Sequence, residues 1–198
     1  MLLAHCLFCR HQAVLVPLVA AHAGFWRMFE EKWLGYGEAL AFERRVQRQP
    51  GGADAVAFEH ILRRSHPLVI PGAAVLAHLE RWELFPELER FVRHSTAAAQ
   101  LLDDLVDAEQ DRRDGNHTWV VNRLGGGEGS ASLGRRLYLE GGYDTLMDEA
   151  LRELALAQEV AKGLRMAAAV LALERDAGQM RSMREQVAGA LTRWFFEE

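Results

Sequence analysis

Apolar residues recur at three- and four-residue steps along nearly all of this 198-residue chain, and nowhere do they alternate over a strand-length run. That pattern commits the sequence to an all-α fold. Phe25, Phe29, Trp33, Tyr36 and Leu40 form one such stripe, with Glu30, Glu31, Arg44 and Arg45 off it. Further helices are predicted over residues 2–21, kinked at Pro17, and from Asp54, a candidate N-cap, to Ser65. Pro50-Gly51-Gly52 ends the helix before Asp54, and His66-Pro67 breaks the one after it. Another helix should run from Pro71 to Trp82. Pro86 suits the first turn of a long helix that reaches Asp114 and stops at Gly115. Residues 125–134 hold five glycines and read as a flexible loop. Residues 143–194 read as two helices broken near 176–178. No repeat of 20–50 residues is visible, and the length fits one domain spanning 1–198 with a real core.

The net charge of -5 argues against a generic nucleic-acid binder, which needs a basic face to displace counterions. Lys32 and Lys162 are the only lysines, so positive charge is carried by arginine. The guanidinium fork suits phosphate, although genomic base composition accounts for the same bias. Cys6 and Cys9 are spaced C-x-x-C but have no second pair downstream, so two small residues on a buried helix are expected in place of a zinc or redox site. Arg10, His11 and Gln12 interrupt the apolar N-terminal stretch before it reaches membrane-spanning length. The segment preceding Arg10 is itself apolar, unlike the start of a signal peptide. A cytoplasmic protein is expected.

The segment QLLDDLVDAEQDRRDGNHT carries the chemistry. Asp103, Asp107 and Asp111 stand four residues apart on one helix face, with Asp104 at its edge. Like charges at this spacing repel, which a bound cation would offset. Hard carboxylate oxygens suit magnesium, which prefers a few carboxylates plus waters and substrate phosphates to a closed protein cage. The plain alternative is a solvated acidic face. Against it, the aspartates alternate with Leu101, Leu102, Leu105 and Val106 in the middle of a long helix. They are also followed by the polar turn Gly115-Asn116-His117-Thr118, which could close over a ligand.

The order Gln-x-x-Asp-Asp-x-x-Asp, then Asp111, Gly115 and Thr118, resembles the second aspartate-rich motif of class I isoprenoid synthases, the trans-prenyl diphosphate and terpenoid synthases. The specific likeness covers residues 100–118 and extends loosely over about 24–196. It implies an isoprenoid-synthase-type helical bundle in which Asp103, Asp104, Asp107 and Asp111 hold Mg2+ on the diphosphate of a prenyl substrate. Gln100, Arg64 and Thr118 are implied as substrate contacts. Arg112 and Arg113 are either diphosphate contacts or solvated partners of nearby acids. A homodimer is left open, and no catalytic side chain is assigned. The family also uses an earlier, facing acidic motif. Here Asp54 is the only aspartate before Asp103, and Glu30, Glu31, Glu38 and Glu43 read as solvated helix faces. The expectation is therefore a chain that is incomplete at its N-terminus, or a divergent non-catalytic member that serves as a lipid-binding or protein-interaction scaffold.

Overall fold

In a computed structural model, residues 2–19, 21–46, 55–125 and 133–196 are described, and among them no strand occurs. The Pro50-Gly51-Gly52 stop, the Asp54 cap and residues 126–132 of the glycine-rich segment lie outside the described residues. Helix α1 (Leu2–Val19) leads into α2 (Ala23–Val46), whose start is capped by His22: its Nδ1 accepts the Phe25 N–H at 2.9 Å. Helix α3 (Ala55–Leu62) passes into a 3-10 segment, Arg63–Val69, so His66-Pro67 tightens the chain instead of breaking it. Helix α4 (Ile70–His78), a 3-10 turn (Trp82–Leu84) and the long α5 (Phe85–Asp114) follow. Beyond the turn come α6 (Trp119–Gly125), a π-helical turn (Arg135–Leu139), α7 (Gly142–Gly163) and α8 (Ala167–Phe196).

Helix α5 packs most extensively against α7. Leu101, Leu105 and Ala108 of α5 meet Leu146, Met147, Ala150 and Leu154 of α7 in the larger of two buried clusters. The smaller cluster joins Leu15 and Val19 of α1 to Phe25 and Phe29 of α2 and to Val69, Ile70 and Ala73. Each large side chain buried in this way contributes about 1.5–3 kcal/mol. Phe25 and Phe29 are therefore core.

Three helix ends share one hydrogen-bond pattern. At α5, the Asn116 N–H donates to the Asp111 carbonyl and the Gly115 N–H to that of Arg112, with Gly115 at φ 74°. At α4, Arg81 and Glu80 donate likewise to Leu76 and Ala77, with Glu80 at φ 55°. At α7, Met166 and Arg165 donate to Ala161 and Lys162, with Arg165 at φ 57°. Two sequence expectations are corrected here. The helix following Pro71 ends at His78, short of Trp82, and the break in 143–194 falls at 164–166. Asp176 and Gly178 lie inside α8, where a lone glycine costs about 1 kcal/mol relative to alanine and does not stop a helix. Cys9 is exposed, so the expected burial of the cysteine pair does not hold for it.

One glycine is fixed by close approach. A Cβ on Gly142 would stand 2.8 Å from the Arg136 carbonyl oxygen and 2.9 Å from Leu124 Cδ2. Gly142→Ala should therefore lower unfolding free energy by about 1–3 kcal/mol, measured by urea denaturation. An unchanged midpoint would show that the π-helical turn yields freely.

Candidate functional site

The buried stripe of α5 comprises Ala97, Ala98, Leu101, Asp104, Leu105 and Ala108. Asp104 thus occupies a core-facing position, at 6% exposure, and not the edge that its spacing suggested. Asp103 and Asp107 are exposed, and Asp111 is half-buried. All four line one cavity of about 240 Å³, together with Gln100, Arg64, Thr118, Glu43, Ile61, His117 and Trp119. Helix α5 supplies the acidic wall, α2 supplies Glu43, and the 3-10 segment supplies Arg64. The turn into α6 closes the end.

Local structure sets each side chain. Gln100 Nε2 donates to Asp104 Oδ1 at 2.7 Å, one helical turn away. The Val120 N–H also donates to the Asp104 carboxyl. Burial nevertheless outweighs both bonds and, aided by the charges of Asp103 and Asp111, pushes the Asp104 carboxyl up to about 7. Asp111 is raised too, chiefly by burial and then by Asp107, Asp103 and Asp114, against a 3.3 Å bond from Asn116 Nδ2. Thr118 Oγ1 accepts the Val121 N–H at 3.4 Å as the cap of α6, and Asn122 Nδ2 donates to the His117 carbonyl at 3.0 Å. Arg123 lies over the Trp119 ring at 4.8 Å and forms a bidentate pair with Glu149 of α7, tying α6 to the bundle.

Of the residues picked out by sequence, the cavity gathers Gln100, Asp103, Asp104, Asp107, Asp111, Arg64 and Thr118. It does not gather Arg112 or Arg113. Arg112 lies 3.8 Å from Glu109, and Arg113 Nε donates to the Glu109 carbonyl, both on the exposed side of α5. Of the two roles left open for them, this placement favours that of solvated partners. Glu43 is corrected in the other direction: it is no outward-facing acid but a cavity residue, in contact with Arg64 at 2.5 Å.

No described salt bridge involves any of the four aspartates. The cavity therefore holds five carboxyl groups and a single guanidinium. The carboxyl oxygens are hard donors of the kind that suit magnesium, and His117 adds one imidazole to the lining. Among the described residues, no three His, Cys, Asp or Glu side chains converge to hold a metal unaided.

A second cavity, about 440 Å³, shares Ile61, Arg64, Gln100 and Asp103 with the first and is otherwise lined largely by Tyr36, Leu40, Leu62, Leu68 and Ala99. A third, about 250 Å³, shares no residue with the aspartate cavity. Its cations are already matched, Lys32 with Glu89 and Arg93 with Glu59. Comparison with models of protein families, with curated proteins and with solved structures returned no match. No helix among the described residues is long and apolar enough to cross a membrane.

Proposed function

We propose that this protein binds the diphosphate of an allylic prenyl ester through magnesium at the α5 cavity, in the manner of the class I isoprenoid synthases its motif resembles. The observation that carries this reading is the convergence of Gln100, Asp103, Asp104, Asp107, Asp111, Arg64 and Thr118 on one cavity. The neighbouring cavity adds the other half of an amphiphile's requirements: an apolar wall continuous with a carboxylate-rich one. Asp103 and Asp107 are the accessible metal ligands, and Asp111 is an outer ligand or an acceptor for metal-bound water. Asp104, held by Gln100, loses its proton when a cation arrives. Bound magnesium would offset the charge that builds on a departing diphosphate. Arg64 supplies the donor fork for phosphate oxygens, while Leu40 and Leu62 offer apolar surface to the hydrocarbon chain.

A second reading is favoured by one observation: α2 brings only Glu43 to the cavity, and that carboxylate is already paired. A protein that binds a prenyl diphosphate or a lipid without ionising it would look the same. Calorimetry with inorganic pyrophosphate, with and without magnesium, tests the shared claim, and pyrophosphate release from farnesyl diphosphate separates the two readings. Pyrophosphate should bind much more tightly with magnesium than without it, and no binding under any condition rejects the site. Binding without release assigns the scaffold. Magnesium-dependent release assigns the enzyme.

A further inference from the structure

Residues 11–26 and 65–79 contain no Asp, Glu, Lys or Arg. On α1, Leu15 and Val19 are buried, while Val14 and Leu18, one turn apart, are open to solvent. On α4 and the 3-10 segment before it, Ala73, Ala74 and Ala77 are buried, while Leu68, Val75 and Leu79 are open. The five open side chains are between 46% and 63% exposed. The two faces meet: α1 packs against α4, and His78 Nδ1, between Val75 and Leu79 in sequence, lies 3.3 Å from the Leu18 carbonyl oxygen. An exposed apolar side chain standing singly is ordinary, but the outer face of a surface helix is normally polar, and this one carries no charge at all.

We propose that this face docks on an anionic lipid bilayer, lying in its interface, with the apolar cavity opening at the Leu68 end. Two observations name the occupant. Leu68 also lines the apolar cavity beside Leu40 and Leu62, so the open stripe continues into the space that receives a hydrocarbon chain; this link rests on the prenyl diphosphate reading above. Arg10, exposed, stands four residues before Val14 and eight before Leu18 on the same side of α1, and no acid occurs before Glu30. The apolar side chains would leave water for the acyl boundary, and Arg10 would meet lipid phosphates. Glu80 bounds the face beyond Leu79, and Glu83 is matched by Arg81 at 2.5 Å. No described helix is fit to span a bilayer, so the chain would lie on it. A second copy seated on this face would block the way past Leu68, whereas a bilayer would supply it.

Flotation of the full chain with vesicles of phosphatidylcholine, with or without phosphatidylglycerol, tests the docking. Wild type should float with both and more strongly with the anionic vesicles. Val14→Gln, Leu18→Gln, Val75→Gln and Leu79→Gln combined should lower the partition at least about 10-fold. All four side chains are exposed, so the melting temperature should hold. Arg10→Gln should lower the partition about 5-fold, on anionic vesicles only. Leu171→Gln, at an exposed leucine of α8, should change nothing. A wild-type chain that does not float, or a fourfold variant that floats as well as wild type, overturns the docking whatever pyrophosphate calorimetry shows. A dimer in sedimentation velocity that the fourfold variant dissolves, without flotation, gives the face to a second copy and overturns it too. Flotation that the fourfold variant loses, in a chain that binds no magnesium–pyrophosphate, upholds the docking and overturns the prenyl diphosphate reading alone.

Discussion

Replacing Asp103 and Asp107 together by alanine is expected to lower the magnesium-dependent affinity for pyrophosphate at least about 100-fold while leaving the fold intact. Both side chains are exposed, neither is in a described salt bridge or hydrogen bond, and both face the cavity. Exposed substitutions away from such contacts usually stay within about 0.5 kcal/mol. Alanine also has the higher helix propensity and removes the repulsion between positions four apart. The variant should therefore melt at or slightly above the wild-type temperature, so lost binding could not be blamed on lost structure. The magnesium-free arm adds a sign. Two fewer negative charges should leave pyrophosphate binding without metal unchanged or stronger, since those carboxylates repel the anion. Calorimetry of wild type and variant in both conditions decides it. Retained magnesium dependence would move the metal away from α5, and equal losses with and without magnesium would point to a damaged pocket.

Much of this architecture was legible because the chain states its helical period plainly, and the parts that were not share identifiable causes. The stop at Gly115 was readable because glycine meets no steric penalty at positive φ. The same cap at Glu80 and Arg165 was invisible, because nothing in a glutamate or an arginine announces a left-handed residue; tertiary packing selects it. The 3-10 passage across His66-Pro67 was hidden for a related reason: proline biases the residue before it away from α geometry, and here the chain answers with a tighter turn instead of leaving the helix. At the site, the aspartate register was legible and the depth of each aspartate was not.

Two acids did carry an unused signal. Asp104 interrupts the buried series Ala97, Leu101, Leu105, Ala108, and Glu43 stands three residues past Leu40, where the stripe Phe25, Phe29, Trp33, Tyr36, Leu40 would continue. An acid inside an apolar stripe at helical period faces inward, and both line the cavity. Arg112 and Arg113 lie off such a stripe and face solvent, one of the two roles left open for them. Periodicity was the better guide than adjacency.

The depth of Asp104 has a large thermodynamic consequence. Its carboxyl is raised from 3.8 in the unfolded chain to about 7 in the folded one, mainly by burial. Between those two values the folded protein keeps a proton that the unfolded chain has released, so stability falls as pH rises through this window. Above about pH 7 the whole net cost of a buried carboxylate with no described cation beside it remains, and below about pH 4 it vanishes. A shift of about three units corresponds to about 4 kcal/mol. Asp104→Asn removes the charge yet keeps an oxygen that can accept from Gln100 or the Val120 N–H. The variant should thus be more stable than wild type at pH 8 by up to about 4 kcal/mol, on the order of 10 °C in melting temperature. At pH 4 the two should converge. The gain should come at the expense of magnesium–pyrophosphate affinity, as stabilising a strained functional site usually does. Melting curves of both proteins from pH 4 to pH 8 measure the difference directly, because titrations elsewhere in the chain cancel between them. A parallel pair of curves, or an Asp104→Asn variant that is weaker at pH 8, would mean that the carboxylate is ionised and satisfied where it stands. Asp104 would then be a structural anchor for α6, and the cation would have to be sought at Asp103, Asp107 and Asp111 alone.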